Sequence, residues 1–347
     1  MHHLHTSSLQ RTLENIWYKN GKGKWFLLPF TLLYCLLNLI QHWKLTRRRS
    51  KIDIPVIIVG NISIGGTGKT PAVIYLIKRL KKAGYKPAVI TRGYGGKSTK
   101  WPRLVTAQSD PKQVGDEAVL IAKRAAVPVV AGPERTVDIR YLRSKYDCDV
   151  IISDDGLQHY CLHRDIEIVL INAQRELGNG WCLPAGPLRE NAHRLKNVDF
   201  VLYNDGFEQK NSKISAFSQR YQLSSVFSMQ LSGDTLYSLF FNEKSMNLSD
   251  LLEEPIHAVT GIAHPDRFYK TLEKHGLNLT KHSFPDHYDF KPKDLEFYDD
   301  KIIIMTEKDA VKCSEFAHRN CWFLPVEAQM EDKFDDLLLD KLEKLSV

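Results

Sequence analysis

The segment IPVIIVGNISIGGTGKT occupies residues 54–70. Its first six residues are a continuous apolar run, the pattern of a strand buried on both faces of a parallel sheet. In the loop that follows, Ser63, Ile64, Gly65, Gly66, Thr67, Gly68, Lys69 and Thr70 match the Walker A pattern except at the first position, where Ser63 stands for Gly. Small residues let backbone N–H groups curl around a phosphate chain, and the helix that opens there adds its positive end. Lys69 can reach the β- and γ-phosphates, and Thr70 offers a hydroxyl to Mg²⁺. The plain alternative is a glycine-rich turn that merely carries Gly-Lys-Thr. A buried strand before the loop and a helix after it speak against that.

Working outward, residues 71–82 read as a helix with Val73, Ile74, Leu76, Ile77 and Leu80 on its apolar side. Pro71 sits near its start and Gly84 is placed to cap its end. Strands are expected at 86–91, 127–131, 149–153 and 166–171, with helices over 116–126 and 135–146 between them. This alternation implies a doubly wound parallel sheet. A Gly/Pro-rich stretch, GNGWCLPAGPLRE (178–190), breaks the pattern and reads as a functional loop or a hinge. A second alternating region follows, with strands near 200–203, 256–260 and 301–305. The expected division is an N-terminal segment (1–48), a P-loop domain (49–185) and a second, smaller α/β lobe (186–347), with the hinge near 178–200.

Asp154 and Asp155 end the strand 149–153, where a metal-binding carboxylate of such a fold sits. Ligands bind at the carboxyl ends of parallel strands, which favours this over a polar turn. Asp116 and Glu117 open a helix. Asp116 is either its N-cap or a base that accepts a hydroxyl proton in phosphoryl transfer. His159, Cys161 and His163 alternate and would share one face of a strand, but no fourth metal ligand accompanies them.

The charge is unevenly placed. Residues 1–50 hold eight Lys/Arg and one acid, Glu14, which accounts for the whole net charge of +7. The remaining 297 residues are balanced, so nothing marks a nucleic-acid face. The basic residues flank WFLLPFTLLYCLLNLI (25–40), an uncharged run with Trp17, Tyr18, Trp25 and Trp43 around it. Sixteen residues fall short of the roughly 20 needed to span a bilayer. No cleavage site follows, which argues against a secretory signal. A membrane-associated helix, a buried core helix and a span are the three readings. Attraction of Arg47, Arg48 and Arg49 to anionic lipid favours the first, with residues 25–49 as the membrane contact. The six cysteines include no CxxC pair, which suits a reducing cytosol.

Beyond the P-loop, TRGYGG (91–96), VGDEA (114–118), DDGLQH (154–159), GNGWCLPAGPLRE (178–190), GIAHPDRF (261–268), FPDHYDF (284–290) and TEKDAVK (306–312) resemble, in order, the tetraacyldisaccharide 4′-kinase family, the lipid A 4′-kinases of Gram-negative bacteria. The resemblance implies a two-lobed α/β fold and transfer of the ATP γ-phosphate to the 4′-hydroxyl of a lipid A disaccharide 1-phosphate, giving lipid IVA. It implies Asp116 as catalytic base, His287 as its partner from the second lobe, and Asp154, Asp155 and Glu117 serving Mg²⁺ beside Thr70. Arg92, Gln158, His159 and Arg189 are candidate substrate residues whose individual roles the sequence leaves open, and the cytoplasmic face of the inner membrane is the expected location. No obligate protein partner is implied. Ala118 stands where the family commonly has Pro. Two rivals lack their signatures. A partitioning-type ATPase needs a Lys where Ile64 stands. A GTPase needs its base-reading Lys one place earlier than Lys308.

Overall fold

The computed structural model describes residues 8–19, 21, 23–49, 51–206, 211–241, 244–252 and 254–345. Lys22, one of the basic residues counted above, lies outside them. The helices are α1 (Ser8–Tyr18), α2 (Lys24–Thr46), α3 (Lys69–Lys82), α4 (Pro111–Val114), α5 (Asp116–Ala125), α6 (Arg135–Lys145), α7 (Asn211–Tyr221), α8 (Pro265–Lys274), α9 (Glu307–Cys313) and α10 (Asp332–Glu343). The strands are β1 (Val56–Gly60), β2 (Pro87–Thr91), β3 (Arg103–Val105), β4 (Val129–Ala131), β5 (Val150–Asp154), β6 (Ile166–Asn172), β7 (Phe200–Gly206), β8 (Val226–Ser232), β9 (Thr235–Ser238), β10 (Ser245–Asn247), β11 (Pro255–Thr260), β12 (Asn278–Ser283), β13 (Ile303–Thr306), β14 (Cys321–Leu324) and β15 (Glu327–Met330).

Two sheets result. The larger has nine strands in the order β15-β8-β7-β6-β1-β5-β2-β4-β3. Seven neighbouring strands, β8 to β4, run parallel, and β15 and β3 close the edges antiparallel. Every residue of β1 and β5 is buried, Ser153 and Asp154 at the end of β5 included, as the apolar runs that open both strands require of central strands. Ile57 and Val59 face a core with α3, α5 and α10, while Val56 and Ile58 face the opposite core with α6 and α7. The chain leaves β1 toward β2 on one side and later enters β6 on the other. The carboxyl end of β1 is therefore a topological switch point, the usual crevice for ligands. The second sheet has six strands in the order β10-β9-β14-β13-β11-β12.

The two-lobed α/β fold is as expected, but the sheets do not divide at residue 185. Strands β7, β8 and β15 belong to the first sheet, and α10 buries Phe334, Leu338 and Leu342 in its core. The second sheet thus occupies roughly residues 235–324, inserted within the first lobe. The Gly/Pro-rich stretch that suggested a hinge is bonded into the first lobe instead, as described below.

Helix α2 is 23 residues long, and by length and composition it could cross a membrane. It is not a core helix. Phe26 is 84% exposed, Leu32 68% and Leu39 66%, and Phe30, Leu33, Leu36, Leu37, Ile40 and Trp43 are exposed as well. Its other face is docked. Thr31 Oγ1 donates to the Cys182 carbonyl (3.3 Å) and accepts from Ala185 N–H (3.0 Å). The Tyr34 hydroxyl and Asn38 Nδ2 both donate to the Arg189 carbonyl, each at 3.0 Å. Spacings of three and four residues put these side chains on one face, so α2 presents polar groups to the protein and apolar ones outward.

Candidate active site

The phosphate loop is braced from behind. Asn204, at the end of β7, donates to the Thr67 carbonyl (2.8 Å), Asn172, at the end of β6, to the Gly66 carbonyl (3.4 Å), and Asn61 to the Ser63 carbonyl (2.5 Å). A planar trans peptide points its N–H opposite its C=O. Anchoring these carbonyls therefore turns the Thr67 and Gly68 N–H groups to the open side. Gly65 (φ +114°) and Gly68 (φ +92°) adopt conformations that favour glycine, and a Cβ on Gly65 would stand 2.7 Å from His264 Nε2. The 182–190 stretch lies against the loop's first half. Ile64 N–H donates to the Pro187 carbonyl (2.9 Å) and Arg189 N–H to the Ile62 carbonyl (2.7 Å).

Lys69 Nζ lies 3.2 Å from Asn61 Oδ1 and 3.1 Å from Asp155 Oδ1. Burial pushes the Asp155 carboxyl up, but Lys69 and Arg189 (3.7 Å away) outweigh it and hold it below the ordinary carboxylate value. Asp154 is different. It is buried, its Oδ1 has no hydrogen-bond partner among the described residues, and burial together with the Glu117 charge pushes it up to about 7. Arg135, also buried, fixes this strand end by donating to the Asp154 carbonyl at 2.9 Å.

The Asp116 carboxylate splits its two oxygens. Gly115 holds the N-cap position, and Asp116 begins the helix. Oδ1 accepts the Glu117 N–H at 2.8 Å, and Oδ2 lies 3.0 Å from His287 Nδ1, across the cleft. Asp116 is therefore not the N-cap; its contact to Glu117 N–H uses one oxygen and leaves the other for the second lobe. Burial raises the Asp116 carboxyl, but the His287 hydrogen bond and the charges of Lys308, His287 and Lys312 hold it below its ordinary value. On the other side of the ring, His287 Nε2 stands 3.2 Å from Lys308 Nζ. An ammonium can only donate, so a charged Lys308 requires a lone pair on Nε2 and leaves the proton on Nδ1, facing Asp116. Lys308 also pairs with Glu117 at 3.0 Å. His287 adopts a left-handed backbone (φ +57°), unusual for a non-glycine residue.

Among the sequence-derived substrate residues, Gln158 and Arg189 meet beside the phosphate loop. Gln158 Nε2 donates to Glu190 (2.7 Å) and the Asn61 carbonyl (3.1 Å), and Arg189 donates to Gln158 Oε1 (3.3 Å). His159 is pushed down to about 4 by burial and by the Arg135 and Arg92 charges, so its ring is neutral. The Arg92 side chain is exposed at the cleft edge. Residues 159–163 are turn, not strand, which removes the shared face proposed for His159, Cys161 and His163. His163 instead pairs with Asp165 at 3.0 Å.

Among the described residues, no three His, Cys, Asp or Glu side chains gather as a ready metal cage. Mg²⁺ does not need one. It keeps several waters and takes one or two carboxylates plus phosphate oxygens. The buried, unpartnered Asp154 oxygen, with a second negative charge nearby on Glu117, is an environment a cation relieves. The site therefore fits the ion.

Lys308, Arg135, Asn172 and Asn204 were not singled out from sequence. Lys308 lies in TEKDAVK, which carries part of the family resemblance and fails as a base-reading motif, but neither reading gives the lysine a role in the site. The asparagines have no local signature, since only the fold brings strand ends to the loop.

A family model described as "LpxK: Tetraacyldisaccharide-1-P 4'-kinase" matches residues 23–343. A tetraacyldisaccharide 4′-kinase of Methylobacillus flagellatus is 43% identical over 342 residues, covering 97% of this chain and 98% of its own. One of Haemophilus influenzae is 44% identical over 342 residues, covering 95% of this chain and 97% of its own. Among solved structures, an LpxK from Aquifex aeolicus, described as an "apo" form in complex with ATP, superposes with a TM-score of 0.75 at 29% identity, covering 92% of this chain and 99% of its own.

Proposed function

This chain belongs to the tetraacyldisaccharide 4′-kinase family, and from that premise we propose that Asp116, oriented by His287, is the base of its reaction. The protein is an ATP- and Mg²⁺-dependent kinase of lipid A synthesis that phosphorylates the 4′-hydroxyl of tetraacyldisaccharide 1-phosphate. A bond forms from the sugar oxygen to the γ-phosphorus, the bond to ADP breaks, and the hydroxyl proton must leave. The observation that carries the base assignment is the 3.0 Å contact between Asp116 Oδ2 and His287 Nδ1. The other Asp116 oxygen is fixed by Glu117 N–H, so the carboxylate cannot rotate freely. It stays ionised, ready to accept the proton as the new bond forms.

Lys69 and the N–H groups of the phosphate loop hold the phosphate chain. Thr70 and Asp154 would hold Mg²⁺, with Asp155 and Glu117 next to it; when bound, the ion neutralises charge on the phosphate oxygens. Gln158, His159, Arg189 and Arg92 line the acceptor side. The division into a P-loop unit and a second lobe has a use in this reading: the first lobe holds ATP and the base, and the second supplies His287 and Lys308.

The dyad predicts an acid limb in the pH–rate profile. Burial lowers the His287 value, but the Asp116 hydrogen bond outweighs it and sets it above 6.5. Below that pKa the ring is an imidazolium, which repels Lys308 and ties up the Asp116 carboxylate. Activity is therefore present above the His287 pKa and lost as pH falls through it. Steady-state kcat across pH should show this limb, and His287→Gln should abolish or displace it. A limb unmoved in the variant would remove His287 from the role.

Helix α2 and the basic residues through Arg49 dock the enzyme on the cytoplasmic face of the inner membrane, where the substrate's acyl chains lie. The outward apolar face supports this reading, and cation attraction adds about 1 kcal/mol per basic residue near an anionic surface. Deleting the N-terminal segment would be a poor test, because Thr31, Tyr34 and Asn38 support the loop that touches the phosphate loop. Replacing Phe26, Phe30, Leu33 and Leu37 with Ser spares those contacts. This variant should need about tenfold more vesicle-borne substrate for half-maximal rate while matching wild type on detergent-dispersed substrate. Equal kinetics in vesicles would sink the membrane reading.

A further inference from the structure

At the end of α2 remote from the phosphate loop lies a second cavity of about 350 Å³, lined by His42, Arg49, Arg164, Arg194, Glu167 and Asp199 among others. Thr31, which touches the loop near the site, and His42, which lines this cavity, are eleven residues apart, about 16 Å along the helix. The cavity opens at the amino ends of the central strands: Asp165 accepts Val56 N–H, and Asp199 accepts Glu167 N–H. It is thus separate from the catalytic crevice at their carboxyl ends.

Three arginines and three carboxylates line it, and the carboxylates have partners of their own. Glu167 is shared by Arg164 (2.7 Å) and Arg194. Asp165 is taken by His163 and a backbone N–H, and Asp199 by Lys341 and a backbone N–H. Arg49 is left over. Its Nε donates to the Tyr160 carbonyl at 3.3 Å, and among the described residues no carboxylate lies within ion-pair distance of it. Burial and the Arg164 charge pull the Arg49 pKa down, the Glu167 charge opposing and the Arg194 charge adding to the fall. Beside the cavity lies the outward apolar ridge of α2, with Ile40 and Trp43 exposed and Arg47 stacked 3.7 Å over the Trp43 ring.

We propose that this cavity binds the phosphodiester group of a membrane glycerophospholipid, with Arg49 as the principal phosphate contact and the acyl chains lying along α2. The proposal rests on the membrane reading of α2. A guanidinium matches two phosphate oxygens at once, and the adjacent ridge supplies the apolar surface a lipid adds to a phosphate.

The full-length protein, titrated calorimetrically with dihexanoyl phosphatidylglycerol below its micellar concentration and separately with inorganic phosphate, tests this. The expected result is saturable one-to-one lipid binding that Arg49→Gln weakens about tenfold or more, the loss of one charge-assisted contact. Arg49→Lys should retain part of it, and Arg48→Gln, which removes a charge outside the cavity lining, should change it less than about twofold. Equal losses in R48Q and R49Q, or no saturable binding, would overturn the proposal. Phosphate binding as tightly as the lipid would also overturn it, leaving a free-anion site. Flotation of wild type with phosphatidylcholine–phosphatidylglycerol vesicles separates the two ideas. Flotation without short-chain lipid binding keeps the membrane reading and discards the pocket. Failure to float discards the membrane reading, while the titration still reads the pocket.

Discussion

Asp116→Asn should lower kcat by about 10²- to 10⁴-fold, the range a positioned general base supplies, with little change in the KM for ATP. The amide retains an oxygen for the Glu117 N–H, so the helix start survives. What it lacks is a group that can take the acceptor's proton. His287→Ala should show a smaller loss, because the ring positions the carboxylate and does not itself receive the proton. The decisive measurement is the double variant. If Asp116 and His287 act as a unit, the combined loss falls well short of the product of the single losses. Multiplicative losses would mean two independent groups. Near-normal kcat in Asp116→Asn, with only a lower melting temperature, would leave Asp116 a structural residue.

Lys69→Ala should cost about 10²- to 10³-fold or more in kcat, comparable to deleting a donor aimed at developing charge. Phosphate contacts also contribute to binding, so the KM for ATP should rise. A second effect follows from its neighbours. Asp155 is held below its ordinary value chiefly by Lys69, and without that ammonium only Arg189 and Arg135 oppose its burial. Asp155 is ionised at lower pH in the wild type than in the variant. The stability this pairing contributes is therefore present at neutral pH and lost as pH falls through the folded-state value. Lys69→Ala should melt lower than wild type at neutral pH, and the gap should narrow in acid. More than about a tenth of wild-type kcat would remove Lys69 from phosphoryl transfer.

The central architecture was legible because strands buried on both faces leave long apolar runs. β1, β5 and β6 start and end within two residues of their expected positions. Edge strands leave no such trace. β3 and β15 are three and four residues long with exposed or half-buried positions, and nothing in their local sequence separates them from loop. The boundary expected near residue 185 followed Gly and Pro content, a signal of irregular backbone. That backbone is irregular here because it wraps the phosphate loop and seats α2, not because it bends between lobes. Within the site, the Walker loop and the acidic strand end could be read from spacing. The pairing of Asp116 with His287 spans 171 residues, which no spacing rule reaches, and family resemblance alone suggested it. Lys308 became visible only with the second lobe folded over the cleft.

The two crossings between lobes lie side by side. β8 pairs antiparallel with β15 in one sheet, and β9 pairs antiparallel with β14 in the other. Between them Gly233 is packed so closely on the Pro325 carbonyl that a side chain there would collide with it. The covalent link is in effect one two-stranded ribbon that leaves the first sheet and enters the second. A ribbon flexes easily across its flat face, while shear within its plane would break ladder hydrogen bonds. Mechanically this is a strap hinge, which leaves the second lobe chiefly one arc of travel. His287 and Lys308 both lie in the segment this ribbon carries, so they are presented to Asp116 and Glu117 as one unit.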